Sequence, residues 1–205
     1  MSTKDNQTEE KIFEAATTVF VEKGLDGARM QEIADQAGIN KALLHYYYRT
    51  KERLFNAVFE KLALILFKRF APVLDANMSL EDKLRFFYRE HIDFLKKNRS
   101  LPSFILNEIN RNPERLKKLI SGYEVDKLWR ILEEQHKEEL QKFNITYRNI
   151  PQLMTSIAAL SVFPFAARGI FEVIFEKQGI SFDDYLEERK KFAPEFVIKA
   201  IKGSA

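Results

Sequence analysis

The sequence predicts an all-α protein, and three observations predict it. Apolar residues recur at spacings near three and four over long segments, as one face of a helix requires. Alternating apolar and polar runs bounded by turn residues are scarce. Glycine and proline are also few, seven and six in 205 residues, which leaves little turn chemistry for a many-stranded fold. A hydrophobic share of 45% with eighteen phenylalanines supplies core for one large domain, or for a small domain joined to a medium one.

The elements follow in order. Ile12, Ala15, Ala16, Val19 and Phe20 form one face of a first helix, which Gly24 closes. A second, short helix spans about 29–36 with Ile33 and Ala37 inward, and Gly38 stops it because it can adopt positive φ. Asn40 caps a third helix of about two turns. Thr50 caps a long fourth helix reaching about Ala71, before Pro72. Ser79 and Asp82 resemble a capping box that opens a helix to about Lys97, with a face of Leu80, Leu84, Phe87, His91 and Phe94 or Leu95. Pro102 opens a short helix to about Asn110, and Pro113 a region continuing to about Lys142 with a break at Gly122. Pro151 begins a very apolar helix to about Lys177, kinked near Pro164. A segment from Ser181 to Lys191 and a last helix from Pro194 to Lys202 complete the chain.

Composition removes several function classes. Without cysteine there is neither a disulfide framework nor thiol chemistry. The polar start, "MSTKDNQTEEK", is not a secretory leader, and the apolar stretch from Ile157 to Phe175 is interrupted by Pro164, Arg168 and Glu172. A cytoplasmic protein without a membrane span is the expectation. The net charge of +3 decides little. In residues 1–53 eight basic side chains face nine acidic ones, yet positions 36–51 hold three basic residues and no acid. Charge is patterned locally.

Two short helices separated by "AGIN" have the spacing of a helix-turn-helix, whose second helix enters the DNA major groove. The surroundings are more specific. The stretch "IFEAATTVFVEKGLDGARMQEIADQAGINKALLHYYYRTKERLF" resembles the N-terminal domain of the tetracycline-repressor-like (TetR) family at Ile12, Ala15, Ala16, Phe20, Gly24, Ile33, Ala34, Gly38, Leu44, Tyr48, Lys51, Glu52 and Leu54. The resemblance covers about residues 10–60; beyond it only helix number and spacing agree. It implies a helix-turn-helix domain over residues 1–54, joined through the long fourth helix to a helical effector-binding and dimerisation bundle over 55–205. It further implies a homodimeric transcription regulator, a repressor released from its double-stranded DNA operator by a small molecule, with no enzymatic activity and no cofactor. Three positions depart from the family pattern. Ala28 stands where a threonine usually opens the second helix, leaving Asp26 as the substitute cap; His45 replaces a tyrosine; and Leu43 replaces a smaller residue. All three leave the fold intact and bear on the operator sequence.

At about 100° per residue, Leu44 and Tyr48 lie within roughly 40° of each other and form the buried side of the third helix. His45, Tyr46 and Tyr47 then point outward. An outward tyrosine is either an ordinary surface aromatic or a donor to phosphate whose ring meets sugar or a thymine methyl; the motif favours the second reading for Tyr47 and Tyr46. Lys51, in the first turn of the fourth helix, and Lys41, at the start of the third, stand where the helix dipole disfavours a cation and a bound phosphate would justify one. Arg29, Gln31, Ala42 and Leu43 are the candidates for base edges, Arg for guanine, Gln for adenine and Leu43 for a thymine methyl. His45 is either a neutral hydrogen-bonding ring at the interface or a group titrating near neutrality.

In the C-terminal part, Phe67, Phe70, Tyr88, Phe104, Trp129, Phe163 and Phe165 are spread over several helices, and such rings are core unless some of them line a pocket. His91, Asn107 and Arg168 are the polar candidates for an effector site. Arg168 would pair with an anionic ligand or with Glu172 one turn on. Aromatic wealth and scarce charge point to a hydrophobic effector. The segment from Pro151 to Phe175 and the last helix are too apolar to face water, and the family resemblance puts the dimer interface there. An enzyme reading finds only one Glu-x-x-His, Glu133 to His136, where a di-iron bundle needs two, so no metal site is expected. The alternative function is a helical protein-interaction module without DNA binding, which the acidic balance of residues 1–53 supports.

Overall fold

The computed structural model describes residues 3–68, 78–114, 117 and 125–203, without the side chains of 3–4, 63–68, 125–129 and 132. Every element among the described residues is helical: α1 (Thr3–Gly27), α2 (Met30–Gln36), α3 (Lys41–Tyr47), α4 (Lys51–Lys68), α5 (Leu80–Lys97), α6 (Leu101–Arg111), α7 (Val125–Lys142), α8 (Ile150–Ala166), α9 (Arg168–Glu176) and α10 (Phe182–Gly203). The chain divides into two compact units, Met1–Phe67 with Phe104–Pro113 and Lys68–Ser103 with Glu114–Ala205.

In the first unit the predicted face of α1 is buried, from Ile12 to Phe20. It meets Ile33 and Ala34 of α2, Leu44 of α3, and Leu54, Phe55, Val58 and Phe59 of α4 in one apolar core. Phe55 is its hub, with its ring 4.9 Å from Phe20 and 5.7 Å from Phe104. Such edge and tilted aromatic pairs add roughly 0.5–1.5 kcal/mol each beyond the area they bury. The helical backbone of α1 breaks at Gly24, where φ is 68° and ψ −178°, a conformation open to glycine at little cost. Arg29, extended, occupies the N-cap position of α2, and no side chain caps that helix. Asp26 therefore does not replace the missing threonine. It lies too far before the first turn to reach it, and its carboxylate accepts from Arg111 Nη1 at 3.3 Å.

The second unit is organised around α5 and α10, which pack along their length. α5 buries Leu84, Tyr88, His91, Ile92, Phe94 and Leu95 on one stripe, together with Lys83. α10 answers with Phe182, Leu186, Ala193, Pro194, Val197, Ile198 and Ile201. Ser79 and Ser181 cap these two helices, accepting from the backbone N–H of Asp82 at 3.1 Å and Asp184 at 3.0 Å. Ion pairs bolt the same two helices on their rims, Arg85 to Glu195 at 2.7 Å and Lys190 to Asp93 at 2.8 Å.

Three boundaries differ from the sequence reading. The expected segments 181–191 and 194–202 are one helix, because Pro194 lies inside α10 on its buried stripe and packing carries the helix through it. α7 has its non-helical residue at His136, φ −123°, while Gly122 lies outside the described residues. The apolar helix bends by 69° where α8 passes into α9 at Ala167, three residues beyond Pro164. Pro164 itself is buried within α8. It removes the N–H that would bind the carbonyl of Leu160, and Arg189 Nε of α10 donates to that oxygen at 3.1 Å instead. No single helix among the described residues is long and apolar enough to cross a membrane.

Candidate nucleic-acid interface

The helix-turn-helix is built by backbone hydrogen bonds at its turn. Gly38 at φ 67° lets the N–H of Ile39 reach back to Ala34 O at 3.0 Å and its own N–H to Asp35 O at 3.1 Å. This left-handed termination of α2 strains any side chain larger than hydrogen. Asn40 then starts α3, its Oδ1 accepting from Leu43 N at 2.7 Å. Leu44 is fully buried and holds α3 to the core. Thr50 caps α4 by accepting from Arg53 N at 3.2 Å.

Tyr48 departs from expectation. It is the C-cap of α3 in an extended conformation, φ −131°, so its ring leaves the helical register and is half-buried instead of sharing Leu44's place in the core. Burial and then the charge of Glu9 raise its phenol pKa. The other rings divide unevenly. His45 is exposed and its Nδ1 lies 3.3 Å from Arg49 O. Tyr46 is 80% exposed. Tyr47 is half-buried, meets Tyr46 edge-on at 5.6 Å, and its hydroxyl donates to Asp5 Oδ1 at 3.1 Å. Its pKa is raised by burial first, then by the hydrogen bond to Asp5 and by Asp5's charge.

The remaining candidates lie on α2, α3 and α4 or at their starts. Lys41 and Ala42 are exposed and Leu43 half-buried in the first turn of α3. Arg29 and Gln31 are exposed at the start of α2, where Gln31 Nε2 donates to Asp35 Oδ1 at 2.7 Å. Lys51 is half-buried, and its ammonium donates to the carbonyls of Ala28 at 3.0 Å and Asp26 at 3.3 Å. The lysine thus staples the start of α4 to the turn before α2 and offsets the dipole cost of a cation there. One of its three donors is left over from those two bonds.

The effector candidates do not converge in the same way. Tyr88 and His91 share the buried stripe of α5: the Tyr88 hydroxyl donates to Ile157 O at 3.2 Å, and His91 Nδ1 lies 3.1 Å from Ser161 Oγ. Burial raises the Tyr88 pKa and pushes that of His91 down to about 4. Phe104 belongs to the first unit, packed on Phe55 and Phe59. Asn107 and Phe163 are exposed. Arg168 Nε pairs with Glu172 Oε1 at 2.7 Å, the second of its two readings, with its guanidinium 5.8 Å from the Phe182 ring. Phe70 and the side chains of Phe67 and Trp129 lie outside the described residues.

One polar cluster was signalled in the sequence only through His136. Lys83 is buried and donates to Gln135 Oε1 at 3.2 Å. Glu139 Oε2 accepts the first N–H of α5, that of Leu80, at 2.9 Å and lies 3.5 Å from Nδ1 of buried His136. Burial, then the Lys83 charge, lowers the His136 pKa. Glu133, the other member of the Glu-x-x-His spacing, is exposed, and the carboxylate that approaches the imidazole is Glu139.

Comparison with known proteins bears on the same segment. Residues 12–58 match the family described as bacterial regulatory proteins, tetR family. The chain is 43% identical over 67 residues to the HTH-type transcriptional repressor SCO4008 of Streptomyces coelicolor, covering 32% of this chain and 35% of the relative. It is 31% identical over 75 residues to the HTH-type transcriptional repressor KstR2 of Mycolicibacterium smegmatis, 37% of each chain. The matched stretch thus spans about a third of the length of these two curated relatives. The fold is similar across nearly the whole chain to a putative TetR-family transcriptional regulator from Mesorhizobium loti, with a TM-score of 0.61, 21% identity, and 97% and 98% of the two chains covered.

Proposed function

We propose that the chain, whose residues 12–58 match the tetR family of bacterial regulatory proteins, acts as a homodimeric repressor, released from double-stranded operator DNA by a small hydrophobic effector. The observation that carries the reading is the solvent face of α3. Lys41, Ala42, His45 and Tyr46 are exposed on a helix whose opposite side is anchored by fully buried Leu44. A helix so backed can enter a major groove without losing its own packing. Lys41 and the spare donor of Lys51 suit phosphate, Leu43, Arg29 and Gln31 suit base edges, and Tyr46 and Tyr47 supply rings with a polar tip.

In this reading residues 1–54 form the DNA-binding domain and 55–205 the effector and dimer part, acting in the cytoplasm where the operator is. Two recognition helices must meet successive major grooves about 34–36 Å apart, so dimerisation is a geometric need. The exposed apolar side chains of α8, α9 and α10, among them Phe163, Ile170, Val173, Phe192 and Phe196, suit a second copy of the chain. Within the second unit, Tyr88 and His91 place polar atoms in an apolar interior, paired with Ile157 O and Ser161 Oγ, and a hydrophobic effector with one polar group would exchange one of those bonds for its own. An effector favouring one spacing of the recognition helices shifts the protein off the operator.

The test is binding of the full chain to genomic fragments and to random-sequence duplex at two salt concentrations. Binding that weakens steeply with salt, and is tighter for selected fragments, is the expected result. No binding at low salt leaves the protein-interaction module as the better reading.

A further inference from the structure

We propose that Asp5 is a built-in competitor for the DNA backbone, holding the Tyr47 hydroxyl in the free protein and so setting how tightly α3 grips phosphate. The inference rests on the reading of Tyr47 as a DNA contact and adds to it a residue 42 positions away that controls it.

Positions 5, 8, 9 and 12 share one side of α1 by helical spacing. Ile12 is fully buried, which fixes that side in the core and brings the first turn of α1 out beside α3. There Asp5 is exposed, and its Oδ1 accepts from Tyr47 Oη at 3.1 Å. The Thr8 hydroxyl hydrogen-bonds to the same phenol. A phenol has a single proton to give, and this one is given to a carboxylate. A phosphate offers only acceptors, so Tyr47 reaches it only by withdrawing that proton from Asp5. The carboxylate left behind also repels the phosphate at close range. Asp5 therefore takes the place a phosphate oxygen would take, and DNA must displace it.

An acid in the first turn of a helix also favours the helix through its dipole, so the plain structural role has to be separated. Glu9 provides the control. It is a second carboxylate on the same side of α1, and it acts on both Tyr47 and Tyr48 through its charge alone, raising the pKa of each.

The experiment measures binding of the full chain to a labelled random-sequence duplex at about 50 and 200 mM salt. The proteins are the parent, Asp5→Asn, Glu9→Gln, Tyr47→Phe and Asp5→Asn with Tyr47→Phe, each checked for an unchanged thermal midpoint. Asp5→Asn should tighten binding about tenfold, because the amide oxygen accepts only a neutral, weaker hydrogen bond from Tyr47 and the charge that repels phosphate is gone. Glu9→Gln should tighten it by about two- to threefold, as loss of a half-buried like charge without a hydrogen bond to the phenol does. Tyr47→Phe should weaken binding by about two- to threefold in the parent and by about tenfold in Asp5→Asn, where it cancels most of the gain. A gain from Asp5→Asn no larger than that from Glu9→Gln overturns the proposal, as does a gain that survives Tyr47→Phe. Failure of every protein to bind duplex DNA overturns the DNA-binding reading and this proposal together, a result distinct from the other two.

Discussion

Two of the surfaces that carry exposed aromatic rings among the described residues differ in what the rings hold at their tips. On α3 they are exposed His45 and Tyr46 with half-buried Tyr47 beside them, each ending in a nitrogen or a hydroxyl. On α8 and α10 they are Phe163, Phe192 and Phe196, joined by the aliphatic Ile170 and Val173 of α9. A tyrosine can wait in water at little cost and exchange its water for a phosphate oxygen without losing a hydrogen bond. A phenylalanine has nothing to exchange, and only removal from water rewards it, at roughly 25 cal/mol per Å². The first surface is suited to a wet, charged partner and the second to another apolar face. Exposure alone does not separate them: Tyr46 is 80% exposed and Ile170 63%.

The contrast can be broken most sharply on the apolar side. Val173→Glu puts a charge where a second copy is expected to sit. The dimer should fall to monomers in sedimentation, and operator affinity should drop by about a hundredfold or more as the two half-sites lose their link. Because Val173 is exposed in the single chain, the folding stability of the monomer should move by less than about 0.5 kcal/mol. A Val173→Glu protein that stays dimeric breaks the comparison.

Next in size is a pH effect confined to the unit that carries the apolar surface. Burial holds His91 at about 4, below its ordinary 6.5. Below pH 6.5 the unfolded chain therefore binds a proton that the folded chain refuses, so stability is full above 6.5 and falls as the pH drops towards 4. The loss at the lower limit is on the order of 3 kcal/mol. The lowered pKa of His136 acts in the same direction. Urea unfolding at pH 7 and pH 5 measures the slope, and His91→Leu should flatten it.

Smaller effects belong to α3. Lys41→Ala should weaken binding by about three- to tenfold on every sequence and reduce the salt slope by about one. Tyr46→Phe removes only a hydroxyl. It should cost about two- to fivefold in DNA affinity with stability unchanged within about 0.5 kcal/mol. If Tyr46→Phe instead lowers the melting temperature, Tyr46 is part of the core and the distinction between the two surfaces is lost.

Much of the helix-turn-helix was legible because its construction is local. Asn40, Gly38 and Thr50 act on backbone groups within a few residues of themselves, and the burial of Leu44 follows from helical period. Tyr48 was misplaced by that same period, because the helix ends one residue before it. The occupation of Lys51 by two carbonyls was illegible, since it depends on how the turn before α2 folds back on α4. The effector candidates were chosen by residue type, which does not say where a ring points. Phe104 packs in the first unit while Tyr88 and His91 pack in the second.

By itself the sequence determined the helices, most of their ends and the exposed face of α3. Those depend on caps, on positive φ at glycine and on a period of 3.6, all of which act over about one turn. Only the tertiary structure decided that Pro194 lies within a continuous helix, that Arg189 supplies the bond Pro164 forfeits at Leu160, that His91 faces Ser161, and that Asp5 holds Tyr47. Those partners stand 29, 70 and 42 residues apart along the chain in the last three cases. What joins them is the requirement that buried or crowded polar groups be paired once apolar packing has set the helices side by side.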